Sequence, residues 1–241
     1  MLEIIQYKNI KKYKRYFSFD LNTNSKLYFD KDLIHKIFSD QSLYFYIILK
    51  KLDELKLNEI VEIKNLIYKN EFMVGYSMKN YKEYKSLNKF KYRKFSLKKK
   101  DCFKLVDSFK ILLDNNLLYS DYHLGNVLLN GKTNDIKICD VDGISFKQKE
   151  ETQYKKILKL LLSYLYNIKE YDIRNVLNSD GIGIKDSIIN ECCVLEKDLS
   201  FDKIIEIITK IKKQNIKEEK KHIIQKSKYL SNFGYLKYMR M

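Results

Sequence analysis

Proline and tryptophan are absent from the 241-residue chain, glycine occurs only seven times and cysteine four times. The missing proline and tryptophan go with abundant Lys, Ile, Asn and Tyr, the composition expected of a very AT-rich coding sequence. No glycine precedes Gly75, which excludes a glycine-rich, phosphate-cradling loop ahead of that point. Cys102, Cys139 and the adjacent Cys192–Cys193 show no CxxC spacing and no Cys/His cluster of zinc type, so they read as reduced core thiols. No apolar run approaches the roughly 18 residues needed to span a bilayer. Met1 to Arg15 is too charged and broken to read as a secretory signal. A cytoplasmic protein without a membrane span is the expectation.

What is present is globular. Hydrophobic residues make up 45% and charged residues 32%. The length allows one large domain or two smaller lobes sharing a cleft. The net charge of +16 and pI of about 9.4 admit an anionic partner such as nucleic acid. The lysines run through the whole chain, however, which favours a compositional origin. Between Lys79 and Lys100 the aromatics Tyr81, Tyr84, Phe90, Tyr92 and Phe95 alternate with lysines. Such a mixture can stack on bases, but a solvated connector is preferred, and nucleic acid remains an alternative partner that is not favoured. The basic, aromatic stretch from Lys220 to Met241 is read in the same way.

Strand-type patterns cover Tyr16 to Leu21, Lys26 to Phe29 and Leu33 to Phe38, with turn chemistry at Asn22–Ser25. Gln41 to Leu57 follows as a helix, capped by Ser39 or Asp40. Ile60 to Ile67 and Glu71 to Met78 read as two more strands. Beyond the connector, Asp101 to Asn115 is an amphipathic helix with Asp101 as its cap. After Gly143 the pattern is helical: Thr152 to Tyr166, Asn190 to Glu196, Phe201 to Lys213 and Ile216 to Lys228, with a break at Gly181 and Gly183. The order implies an α+β protein, with a small β-rich lobe over residues 1–78 and a larger, mainly helical lobe over 79–241.

One segment concentrates the chemistry. From Leu117 to Gly143 the chain carries Asp121, His123, Asn126, Asp140 and Asp142. Asn126 to Asn130 and Asp135 to Asp140 read as a hairpin turning at Asn130–Asn134, which sets Asn126 beside Asp140 with Asp121 just ahead. Oxygen donors of this kind suit Mg²⁺, a hard cation that takes one or two carboxylates plus phosphate and water. Asp121 is the candidate base that orients a hydroxyl, while Asn126 and Asp140 are candidate metal ligands. Asp142 is either a supporting carboxylate or a third ligand. His123 is a candidate for the transferring phosphate, or a brace for the loop. His35 and His222 read as structural and surface residues.

Asp121-Tyr-His123-Leu-Gly-Asn126 resembles the catalytic loop of the protein-kinase-like superfamily, in the D-x-H-x-x-N form of aminoglycoside phosphotransferases and atypical bacterial kinases. The resemblance implies a two-lobed kinase-like fold, ATP and Mg²⁺ as cofactors, and ATP lying between the lobes. It implies Asp121 as catalytic aspartate, Asn126 as metal-binding asparagine and Asp140 as the second metal aspartate. It also implies Lys36, in Leu33-Ile-His-Lys36-Ile-Phe, as the lysine on the α/β-phosphates. Ile34, on the same strand face, would line the nucleotide pocket, with Met78 near the gatekeeper position and Lys79 to Tyr81 offering backbone groups to adenine.

Four features depart from the pattern. Tyr119–Ser120 replaces His-Arg ahead of the aspartate, and no glycine loop exists, so the turn Asn22–Ser25 must serve in its place. The helix after Lys36 shows Tyr44-Phe45-Tyr46 where a glutamate is expected; Asp40, Asp53 and Glu54 lie near its ends. No Ala-Pro-Glu segment occurs, and only a short stretch separates Gly143 from the next helix, which argues against a regulated activation loop. The expected function is therefore an ATP- and Mg²⁺-dependent phosphotransferase acting on a protein Ser/Thr or a small hydroxylated molecule. A pseudokinase scaffold and a basic nucleic-acid-binding protein are the alternatives.

Overall fold

β-Branched and aromatic residues dominate the early segments, and they form strands. The computed structural model describes residues 2–16, 25–38, 43–146, 151–177 and 199–238. Chain contacts divide the protein into two compact units, one of Met1–Lys85 with Leu128–Phe146, the other of Ser86–Val127 with Lys147–Met241.

The first unit is built on a six-stranded sheet in the order β1-β5-β6-β4-β3-β2. Its strands are β1 (Glu3–Gln6), β2 (Lys14–Tyr16), β3 (Ser25–Phe29), β4 (Leu33–Phe38), β5 (Ile63–Lys69) and β6 (Phe72–Lys79). β1 joins β5 in parallel, and the other neighbours are antiparallel. In the β4/β6 register Ile34 faces Met78 and Lys36 faces Tyr76, while His35 faces Ser77 and Ile37 faces Gly75. Paired residues share a sheet face, so Ile34, Lys36, Tyr76 and Met78 lie together on one side. The other side buries Tyr28, Ile37 and Ile67 against Ile10 of the short helix α1 (Tyr7–Ile10). There the His35 ring meets Ser77 Oγ at 2.7 Å and stacks on Tyr13 at 5.1 Å.

Helix α2 (Leu43–Leu55) buries Ile48, Leu49 and Leu52. A smaller sheet combines β7 (Tyr84–Ser86) with the hairpin β9 (Val127–Asn130) and β10 (Ile136–Ile138). Asn130 makes the hairpin turn: its side-chain oxygen accepts from Lys132 N–H at 2.9 Å, and its backbone N–H donates to Asp135 O at 2.9 Å. Val61 N–H donates to Ile138 O at 3.0 Å, tying β10 to the chain after α2.

The second unit is mainly helical: α3 (Phe95–Asp114), α4 (Glu151–Tyr166), α5 (Glu170–Leu177) and the helices Phe201–Lys210 and Ile216–Tyr238. Leu105, Phe109, Leu112, Leu158, Leu161, Leu162, Ile204 and Ile207 form its apolar interior. Ser200 caps the helix that follows it, accepting from Lys203 N–H at 3.2 Å. Among the described residues no helix is long and apolar enough to cross a membrane. Cys102 is buried and Cys139 half-buried, and among the described residues neither is in a disulfide.

Several sequence expectations are corrected. Asp101 is not a helix cap, because α3 begins at Phe95 and buries Asp101 in its interior. Arg93 Nε donates to Asp101 at 2.8 Å and Tyr164 OH donates to it at 2.7 Å, so the carboxylate is a partnered core group. The lysines ahead of it did not break the helix, since lysine is a good helix former that buries its stem; Lys98 does so beneath Tyr164. The stretch from Lys79 to Lys100 is therefore not a plain connector. Tyr81 packs on Tyr84 at 5.0 Å, Tyr84 OH donates to Asp135, and only Tyr92 among its aromatics is fully exposed. The N-terminal strand and helix, read from sequence only as a charged stretch, close one sheet edge and one sheet face. Most of the strand expected over Tyr16 to Leu21, the turn Asn22–Ser25 apart from Ser25 (which opens β3), the caps Ser39 and Asp40, the break at Gly181 and Gly183, and the helix Asn190 to Glu196 with Cys192–Cys193 lie outside the described residues.

Candidate active site

In the first unit, β4 brings Lys36 to the aspartates that follow β10. The Lys36 ammonium donates to Asp140 and also to both oxygens of Asp142, each at 2.7 Å. The lysine side chain is 9% exposed and Asp140 33%, so the cation is enclosed while the carboxylates keep an open side. Burial alone would lower the Lys36 pKa, but Asp142 and Asp140 outweigh it and the pKa is raised. Burial raises the Asp142 carboxyl, Lys36 pulls it down, and Asp140 beside it pushes it up again; the net direction is upward.

The local backbone explains this convergence. Asp140 takes the left-handed conformation, φ 62° and ψ 52°, which Asp tolerates better than most side chains. A short helical turn over Val141–Gly143 follows, closed by Gly143 N–H donating to Asp140 O at 3.0 Å. Val141 is fully buried and pins the turn from below. Tyr76, opposite Lys36 on β6, donates its hydroxyl to Asp142 at 3.3 Å, and burial first, then Asp142, holds its pKa well above the usual range. Ile34 and Met78, half-buried, lie opposite one another on the same sheet face as Lys36. Gly75 is required by close approach: a Cβ there would lie 2.1 Å from the Lys36 carbonyl oxygen.

In the second unit, β8 (Leu117–Tyr119) leads into the loop that holds Asp121, His123 and Asn126. Tyr119 and Tyr122 are buried on either side of Asp121 and pack against Phe109, with Phe109 and Tyr122 edge to face at 4.8 Å. Asp121 is left pointing outward, 49% exposed. The Asn126 amide donates to Asp121 Oδ2 at 2.7 Å and to its backbone oxygen at 3.3 Å. His123 Nδ1 accepts from Gly125 N–H at 3.0 Å, which turns Nε2 toward Asp121 Oδ2 at 3.5 Å. That acceptance fixes the neutral tautomer with its proton on Nε2. Gly125 is needed because a Cβ would meet the imidazole ring at 2.7 Å.

The structure thus brings Lys36, Asp140 and Asp142 together in one unit, and Asp121, His123 and Asn126 together in the other. Asp140, within the first unit, is a partly open carboxylate of the kind a hard divalent cation takes. Among the described residues no group of three or more His, Cys, Asp or Glu side chains could by itself hold a metal. That is compatible with Mg²⁺, which keeps water and phosphate among its ligands.

Two contributors escaped the sequence reading. Tyr76 carried no signal beyond its place in an apolar strand. Glu170, in the first turn of α5, accepts from Leu124 N–H at 2.7 Å and so ties down the middle of the Asp121–Asn126 loop. A lone acid in a helix's first turn gives no hint of that reach.

No protein-family model matches the sequence, and no curated relative does. The structure is similar to that of the Cydia pomonella granulovirus kinase PK-1, with a TM-score of 0.62 and 14% sequence identity, over 83% of this chain and 94% of that one. The strand-rich N-terminal sheet followed by a helical C-terminal part is an α+β, kinase-like fold.

Proposed function

We propose that this chain is an ATP- and Mg²⁺-dependent phosphotransferase of the atypical protein-kinase-like kind. It would act in the cytoplasm and move the γ-phosphate of ATP to a hydroxyl, with a protein Ser or Thr slightly ahead of a small hydroxylated molecule. The observation that carries this reading is the bond between Lys36 and Asp140, 104 residues apart in sequence, on a kinase-like fold. Lysine on the phosphates and aspartate on the metal is the pairing that phosphoryl transfer needs, because its transition state asks for positioning and charge neutralisation.

In this reading Lys36 holds the α/β-phosphates, and Ile34 and Met78 line the nucleotide pocket. Asp140 and Asn126 would hold Mg²⁺, which when bound neutralises phosphate charge. Asp121 orients the acceptor hydroxyl and takes its proton. Its carboxylate is presented for this by the Asn126 amide, and the loop is braced by His123 and Glu170. His123 Nε2–H, on the exposed side of the loop, is a donor for the transferring phosphate.

Incubation with Mg-ATP and candidate acceptors, wild type beside Asp121→Asn, tests the proposal. The expected result is transfer that falls by roughly 10²–10⁴-fold in the variant. The absence of any glycine before Gly75 favours a second reading, a pseudokinase that binds nucleotide without efficient transfer. If both proteins bind ATP and neither transfers phosphate, the pseudokinase reading stands in place of the enzyme.

A further inference from the structure

Helix α2 offers Lys36 no acid: among the described residues its anionic partners are Asp140 and Asp142. Where α2 meets the sheet it presents Phe45, which packs on Phe38 at 5.3 Å and on Tyr76 at 5.9 Å. Phe38 and Tyr76 are themselves 5.7 Å apart, and the Lys36 ammonium lies 5.9 Å from the Phe38 ring. The wall beside the lysine is therefore aromatic, and the one polar atom Tyr76 carries there is bonded to Asp142.

From this arrangement we infer that Asp142, oriented by Tyr76, is the positioning residue that sets Lys36, in the role a glutamate of α2 would otherwise fill. Both Asp142 oxygens are engaged by the ammonium, and one also accepts from Tyr76. Asp140 and Asp142 stand on one turn pinned by buried Val141, so the segment that carries the metal-binding aspartate also carries the lysine's counter-ion. The lysine is then placed by that turn and by β6, and not by α2. A shift of α2 would disturb an apolar contact while leaving the ion pair intact. This departs from the metal-ligand role that the sequence admits for Asp142.

The inference rests on the phosphotransferase reading, and two measurements keep the two apart. ADP and ATP affinities are measured by calorimetry with and without Mg²⁺, on full-length wild type, Asp142→Asn, Tyr76→Phe, Lys36→Met and the Lys36→Met/Asp142→Asn double variant, each checked by its melting transition. Asp142→Asn is expected to weaken Mg²⁺-free nucleotide binding about tenfold, the scale of a lost charged hydrogen bond. The double variant should bind no more weakly than Lys36→Met, and Tyr76→Phe should show a smaller loss. An Asp142→Asn protein with unchanged Mg²⁺-free affinity that has lost only the increment due to Mg²⁺ would make Asp142 a metal ligand and overturn the inference. The second measurement needs no nucleotide. Acylation of Lys36 by an N-hydroxysuccinimide ester, read by mass spectrometry, should rise several-fold in folded Asp142→Asn, as expected of an amine released from a charged partner. If wild type binds no nucleotide, the phosphotransferase reading falls, and unchanged Lys36 labelling would separately overturn the role given to Asp142.

Discussion

Lys36 is 9% exposed and bound by two carboxylates, whereas Asp121 is 49% exposed and held by an amide, a ring and the backbone around it. The first unit sets its candidate groups by charge: cation and anions fix one another, with Tyr76 and Val141 as supports. The second sets them by backbone shape, through buried tyrosines on either side of Asp121, the Gly125–His123 contact and the Glu170 bond to Leu124. The difference fits the two tasks in the proposal. A group that grips polyphosphate gains from a dry, charged setting, and a base that receives a changing acceptor must face outward.

The widest separation should come from pairing Asp121→Asn with Lys36→Met. The first is expected to lose roughly 10²–10⁴-fold in turnover with nucleotide affinity kept; the second should lose nucleotide affinity first. Turnover and calorimetric titration on both would break the comparison if Asp121→Asn lost affinity as heavily as Lys36→Met.

The second unit also has a buried ion pair. Arg93 and Asp101 are 7% and 2% exposed, with Tyr164 OH on the same carboxylate. Asp101→Ala removes the carboxylate from a buried guanidinium and should cost about 3–5 kcal/mol of stability. A denaturant titration would show it as a lowered midpoint. A loss under about 1 kcal/mol, the range of an exposed pair, would mean that the pair is not a core element.

The two close-approach glycines sharpen the contrast further. At Gly75 an added Cβ meets backbone, the Lys36 carbonyl oxygen, which cannot swing aside. Gly75→Ala should destabilise by about 1–3 kcal/mol, as overpacking does, and weaken nucleotide binding by displacing β4. At Gly125 the added Cβ meets the His123 ring, which can rotate. Gly125→Ala should therefore leave stability within about 1 kcal/mol of wild type and lower turnover alone, since a side chain can relax where a backbone cannot. Equal losses of stability in the two variants would remove the distinction.

How far each half could be read from sequence follows the same division. The strand Leu33–Phe38 and the helix Glu151–Tyr166 were legible because their apolar periodicity is local. The order of strands before helices was legible for the same reason, while its kinase-like character came only from the resemblance carried by Asp121 to Asn126. The Asn130 turn announced itself through residues that bond their own backbone. Asp101 was misread because an acid before an apolar stripe looks like a cap, and its partners, Arg93 and Tyr164, are fixed only by tertiary packing. Tyr76 and Glu170 were missed for that reason too. Their contacts to Asp142 and Leu124 span 66 and 46 residues, and no local pattern encodes them.

The smallest effect concerns His35, on the sheet face away from Lys36. Burial lowers its pKa below the ordinary 6.5, and Asp30 opposes this only in part. Nδ1 meets Ser77, while the buried Nε2 has no hydrogen-bond partner among the described residues. An unmet lone pair costs less than an unmet N–H, so the neutral ring with its proton on Nδ1, donated to Ser77, is the form that fits. Protonation would add an N–H at Nε2 with nothing to receive it. With the folded pKa below the unfolded one, the unfolded chain takes up the proton first as pH falls. The contribution of His35 is thus fully present above 6.5 and is lost as pH drops from 6.5 toward the lowered folded value. Denaturant midpoints at about pH 7.5 and about pH 5.5 should differ more for wild type than for His35→Phe, which keeps the stacking on Tyr13 and cannot titrate. Equal pH dependence in the two proteins would mean that His35 takes up its proton as readily in the folded chain as in the unfolded one.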